Sequence, residues 1–136
     1  MTTLQVGVKA FLKNKEGKFL LLKRNGEKYN TKGSWDIVGG RIDAGTPLIE
    51  NLKREVQEET QLMIVSEPKL IAAQDILRVQ DKHVVRLSYI AECEGEIILD
   101  TSENTEYKWM TINEIQQLED VDMYVEELVK DASLFE

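Results

Sequence analysis

Apolar residues dominate positions 4–12 and 18–23, and the polar run Asn14-Lys15-Glu16-Gly17 between them marks a turn, so the chain is expected to open on a β-hairpin. A polar connection begins at Asn25-Gly26, and residues 34–38 read as a short strand broken by Gly39-Gly40. The period then changes. Leu48, Leu52 and Val56, with Ile49 beside them, form a stripe at helical spacing that runs to about Thr60. Thr46 and Pro47 suit its N-cap and first helical position: threonine accepts a hydrogen bond from an orphan amide, and proline has no amide to leave unpaired. Residues 70–80 and 84–93 form a second strand pair around Asp81-Lys82, and a shorter strand is expected at 107–110. Residues 112–118 and 121–129 read as closing helical segments. This order predicts an α/β chain with a mixed sheet between helical layers.

The other face of the central helix is unusual. Glu55, Glu58 and Glu59 stand at i, i+3 and i+4, so they project from one side, close enough to share a cation. Like charges at this spacing cost about 0.2–0.5 kcal/mol, and carboxylates in a last turn oppose the helix dipole by about 0.3–1 kcal/mol each. Helix stability alone does not select the pattern. Two readings compete: a solvated acidic face, or a site for a hard divalent ion, which takes oxygen ligands. The motif is too short to separate them without its context.

The 136 residues are expected to form one domain over 1–136, large enough for a core without disulfides or metal staples. A net charge of −8 argues against long nucleic acid as a partner, since such binding needs a basic footprint. A small nucleotide remains compatible if divalent metal supplies positive charge. The single cysteine, Cys93, excludes an internal disulfide and reads as an apolar filler in its strand, in keeping with a reducing compartment. There is no basic segment followed by a long apolar core at the start, and no apolar run reaches the length of a membrane span. A cytoplasmic protein, monomeric or homodimeric, is therefore expected.

Gly40, Arg54, Glu55, Val56, Glu58, Glu59 and Leu62 together resemble the signature of the Nudix (MutT-like) hydrolase family: a glycine, five residues, a glutamate, seven residues, then Arg-Glu-apolar-x-Glu-Glu-x-Gly-apolar. Residues 32–40, KGSWDIVGG, are similar to the family's approach to this box, and residues 106–110 to its late strand. The resemblance implies an α/β/α sandwich with a mixed β-sheet and hydrolysis of a nucleoside diphosphate derivative with Mg²⁺ or Mn²⁺. It also implies that Glu55, Glu58 and Glu59, with the Gly40 carbonyl, hold the metal and that Arg54 orients the carboxylates. Arg54 also reads as an i,i+4 partner of Glu50 or Glu58. For the general base, the family offers a box glutamate or one from a later loop; Glu103 is the loop candidate and Glu106 the fallback. The only histidine, His83, reads as a surface residue.

Two positions depart from the signature: Thr46 stands where the family has its first glutamate, and Gln61 where it has its closing glycine. Glu50, one turn before Arg54, is the candidate replacement for the missing carboxylate, and restoring glutamate at Thr46 is expected to raise turnover. These departures motivate the alternative of a weakened Nudix domain that senses a nucleotide without cleaving it. For the substrate, Lys23, Arg24 and Arg41 are candidate phosphate contacts, and Tyr29 and Trp109 candidate stacking surfaces, while Trp35 reads as core. Asp120 and Asp122 either reach a base edge or cap the terminal helix. No proline follows the box, and no tyrosine lies in 70–82, so neither the ADP-ribose nor the dinucleoside polyphosphate type is indicated. The default substrate is a nucleoside triphosphate or a modified nucleotide.

Overall fold

The first apolar run becomes the spine of an eight-stranded mixed sheet in a computed structural model that describes residues 1–27 and 34–136. Strand β1 (Thr3–Lys13) turns into β2 (Phe19–Arg24) at the expected place, where the Asn14 side-chain oxygen accepts from the Glu16 and Lys18 amides. Two short strands, β3 (Trp35–Asp36) and β4 (Val38–Arg41), pair with β2 and β1 respectively. Helix α1 (Leu48–Thr60) then leads through β5 (Met63–Ile64) and β6 (Lys69–Ile76) to β7 (Lys82–Glu94). β7 lies parallel to β1 along its whole length, from Thr3 opposite Lys82 to Lys13 opposite Glu92. β8 (Asn104–Met110) extends β2, and α2 (Ile112–Gln116), α3 (Met123–Val129) and a 3₁₀ turn (Ala132–Phe135) close the chain.

Alternation along β1 and β2 places a core on each face of the sheet. Val8, Ala10, Leu12, Leu20 and Leu22 pack with Leu52 and Val56 of α1, while Phe11, Phe19 and Leu21 pack with Ile115, Val125, Leu128 and Phe135 on the opposite face. The continuous apolar run of β2 follows from burial on both sides. Each such large side chain contributes about 1.5–3 kcal/mol on burial. Helices therefore cover both faces, the expected α/β/α sandwich. Trp35 is 7% exposed and sits in the second core, as read from the sequence. Cys93 lies in the first core, and burial, with Glu94 adding, pushes its thiol up to about 11.

Several expectations need correction. Gly39 and Gly40 do not break a strand but lie within β4, while the break falls at Ile37. Strand β6 ends at Ile76 rather than Gln80, and β8 starts three residues earlier than the sequence suggested. Thr46 does not cap α1: Pro47 occupies the N-cap position with no side-chain cap. Asn51, fully buried, does the work from inside the helix, its amide donating to the Thr46 and Pro47 carbonyls and its oxygen accepting from the Asp43 amide. α3 begins at Met123, capped by Asp122, whose carboxylate accepts from the Tyr124 and Val125 amides. Tyr29, and the Lys32-Gly33 part of the family resemblance, lie outside the described residues.

Gln61 ends α1 in the left-handed conformation, φ 63°. A non-glycine residue there costs about 1–2 kcal/mol, of which glycine's larger unfolded-state entropy offsets about 0.4–1. Gln61→Gly is thus expected to raise the melting temperature by a few degrees without altering metal dependence. An unchanged or lower melting temperature would count against this.

Candidate active site

Helix α1 and strand β4 meet where Gly40 faces the Glu55 carboxylate; a Cβ at Gly40 would stand within 2.9 Å of all three atoms of that group. Only glycine permits this approach. The loop before β8 is tied to the end of α1, with the Ile98 and Asp100 amides donating to the Thr60 and Glu59 carbonyls. These bonds satisfy carbonyls that a helix end leaves open, and they bring Asp100, Glu103 and Asn104 opposite the glutamates. The result is a cavity of about 390 Å³ whose wall includes Glu55, Glu58 and Glu59. Arg24, Arg41 and Glu103 line it too, so three further residues chosen from sequence meet the glutamates there.

Arg54 binds Glu55 Oε1 at 3.2 Å and Glu58 Oε2 at 3.3 Å, and its other terminal nitrogen reaches Asn51 Oδ1 at 3.2 Å and Asp43 Oδ2 at 3.4 Å. Glu50 is not among its partners within the described residues. The carboxylate expected from Glu50 comes instead from Asp43, which sequence reasoning did not identify. Asp43 precedes the helix at no periodic spacing, and only the turn that Asn51 ties down carries it to Arg54. Asp43→Ala is expected to lower turnover about three- to tenfold by loosening Arg54, and adding Thr46→Glu to restore most of it. Steady-state kinetics on the single and double variants check this; an unaffected Asp43→Ala enzyme would remove Asp43 from the site.

Glu59 points inward. Its Oε2 accepts from the Gly39 amide at 3.1 Å and its Oε1 from Asn104 Nδ2 at 3.2 Å. Burial pushes its carboxyl up to about 7, with the Glu55 charge adding, against the opposing pull of Lys9, Asn104 and Gly39. Glu55 and Glu58 turn toward Arg54, so among the described residues no three acidic, histidine or cysteine side chains already converge on one point. Carboxylates that repel each other have found separate donors. The donor set is nonetheless all hard oxygen, three carboxylates beside the Gly40 backbone, which is the chemistry that suits Mg²⁺ or Mn²⁺ rather than a softer metal.

Beside this cavity, Asp36 accepts from Lys9 Nζ and Arg86 Nη2, both at 3.1 Å, and from the Ile37 amide at 2.7 Å. Burial raises its carboxyl, but Lys9 and Arg86 outweigh that effect and hold it at about 2. Arg86 continues to Asp122 at 3.2 Å. This chain of charges was not visible in sequence, because its members come from three distant segments.

The remaining candidates fall elsewhere. Trp109 is half-buried against the first core and lines a separate depression with Asn14, Cys93 and Gly95, because β8 turns it to the α1 side. Asp120 is exposed; its backbone carbonyl accepts from the Trp35 amide, and Asp122 takes the inward position. Glu106 faces Lys23 at 3.5 Å across the β2–β8 ladder, which removes the fallback base from the cavity. His83 lies 2.7 Å from Asp75 at the edge of the sheet.

The NUDIX domain family model matches residues 3–131. The chain therefore belongs to the Nudix family. It is similar to the MutT protein from Methanosarcina mazei Go1, at 26% identity over 95% of this chain and 92% of that one, with a TM-score of 0.81. A MutT Nudix hydrolase from Burkholderia pseudomallei shares the fold at 21% identity over 94% and 97% of the two chains, with a TM-score of 0.79. Nudix hydrolase 5 of Arabidopsis thaliana is 33% identical over 58 residues, 43% of this chain and 19% of that protein. Among the described residues, no helix is long and apolar enough to cross a membrane.

Proposed function

We propose that the protein hydrolyses a pyrophosphate linkage in a nucleoside diphosphate derivative, with a nucleoside triphosphate or modified nucleotide as the leading substrate and Mg²⁺ or Mn²⁺ as cofactor. The observation that carries this reading is the single cavity in which Glu55, Glu58 and Glu59 face Arg24, Arg41 and Glu103. Attack of water on an anionic phosphorus depends on placing the reactants and neutralising charge. A bound divalent ion supplies charge neutralisation and a more acidic water.

This chain's own residues do the rest. Glu55, Glu58 and Glu59, with the Gly40 carbonyl, hold the ion, while Arg54 keeps two of the carboxylates on the helix face. Arg24 and Arg41 bind phosphate oxygens. Glu103 takes the proton from water across the cavity, in the role of general base. Asn104 and the Gly39 amide fix the Glu59 carboxylate through hydrogen bonds at 3.2 and 3.1 Å.

The test is a panel of nucleoside di- and triphosphate derivatives incubated with Mg²⁺, Mn²⁺ or EDTA. Product that requires the metal and disappears in Glu58→Gln is the expected result. Nucleotide binding without product across the whole panel would instead support the sensor reading motivated by Thr46 and Gln61.

A further inference from the structure

Arg24, Gly39, Gly40 and Arg41 also line a second cavity of about 190 Å³, which adjoins the first on the side of β6 and β7. Its charge is lopsided. Six cations, Lys9, Arg24, Arg41, Arg78, Lys82 and Arg86, line it against two carboxylates, Asp36 and Asp122. Lys9 and Arg86 already pair with those two carboxylates. Arg41 donates its Nε to the neutral Gln5 amide, and Arg78 meets the Met123 sulfur and the Tyr124 ring, contacts that leave both charges in place.

Arg86 is only 4% exposed, and its Nε has no hydrogen-bond partner. Burial, together with the positive charges of Arg24 and Arg86, lowers the Arg41 pKa, which shows how closely these cations crowd each other. Cations in this density are as unfavourable as the neighbouring glutamates unless an anion joins them. Ile76, Val79 and Val84 supply apolar walls that strengthen the attraction. Among the described residues, no aromatic ring lines the cavity on which a base would stack. Asp122, which would read a base edge, is held by Arg86 and two helix amides.

We propose that this second cavity binds a phosphate monoester carried by the substrate itself, so that the substrate class is a pyrophosphate bearing a further phosphate beyond the scissile linkage. The assignment rests on hydrolysis at the glutamates as proposed above. Guanidinium groups match phosphate oxygens in pairs, and Arg78 and Lys82 add charge from the rim.

Two experiments test it. The first titrates inorganic phosphate into the ¹⁵N-labelled protein in EDTA, where the metal-free glutamates repel anions and only the cationic cavity attracts them. Saturable shifts at residues of this cavity are expected, with affinity falling at least about tenfold in Arg78→Gln/Lys82→Gln. Gly7→Val should weaken binding as well, since a side chain there stands at ordinary contact distance from the Gly40 oxygen, 3.6 Å, and enters the cavity. No saturable binding, or equal affinity in the double variant, overturns the proposal.

The second experiment compares kcat/KM for two nucleoside diphosphate derivatives that differ only by one phosphate monoester. A preference of about tenfold or more for the phosphorylated compound, lost in the double variant, is expected. Equal kcat/KM for both overturns the second site and leaves hydrolysis standing. Hydrolysis of neither overturns the reading of the glutamates, and the phosphate titration then decides the cavity by itself.

Discussion

Glu59→Gln is expected to abolish metal-dependent turnover while making the metal-free protein more stable at pH 8. The loss should be at least about a hundredfold in kcat/KM, the usual consequence of removing a charge that stabilises a transition state or its metal. The gain in stability follows from the carboxyl itself, which burial and the Glu55 charge raise from an ordinary 4.5 to about 7. In that window the native state binds more protons than the unfolded chain, so stability falls as pH rises from 4.5 to 7 and stays lower above it. Glutamine cannot ionise. The difference in melting temperature between variant and parent should therefore be near zero at pH 4.5, grow through neutrality and level off by pH 8. Mg²⁺ should reverse the order by stabilising only the parent. A variant that melts below the parent at pH 8 in EDTA, or that retains more than a tenth of the activity, would refute this account.

Gly39→Ala should destabilise the fold by at least about 3 kcal/mol, or roughly ten degrees in melting temperature. Gly39 has φ +148°, and a Cβ there would lie 2.0 Å from the Val8 carbonyl oxygen and 2.8 Å from Lys9 Cα. Both are backbone atoms of the central strand, which cannot rotate away. Gly40→Ala provides the contrast: its Cβ meets the end of the Glu55 side chain, which can turn. It should cost little stability and at least about tenfold in activity, by moving a metal ligand. Thermal denaturation and kcat/KM on both variants separate the two; a Gly39→Ala protein as stable as the parent would contradict the close approach of β4 to β1.

The portion of the site legible in the sequence is the portion built on one helix. Glu55, Glu58 and Glu59 lie within five residues, and helical spacing alone puts them on one face. Gly40 could be joined to them only through the family resemblance, and the structure shows the physical reason in its contact with Glu55. The two apolar runs that became β1 and β2 were readable for a similar reason, since a local turn joins them. Asp43 and Asn51 were not readable as supports for Arg54, because their effect depends on a turn whose bonds run from side chain to backbone. The Asp36–Arg86–Asp122 chain was hidden more deeply. Arg86 and Asp36 meet only after β7 has lain alongside β1 and β3 beside β2.

That arrangement of β1 also bears on the order in which the protein assembles. The hairpin β1–β2 can close as soon as both strands exist, but β1 has its longest partner in β7, with Thr3 opposite Lys82. Pairing contacts so far apart requires closing most of the chain into a loop, a step that slows folding and postpones the centre of the sheet. On the ribosome, the apolar edge of β1 must wait through the synthesis of the glutamate helix and two further strands, which makes this interval the one in which a chaperone or an aggregation partner meets the chain.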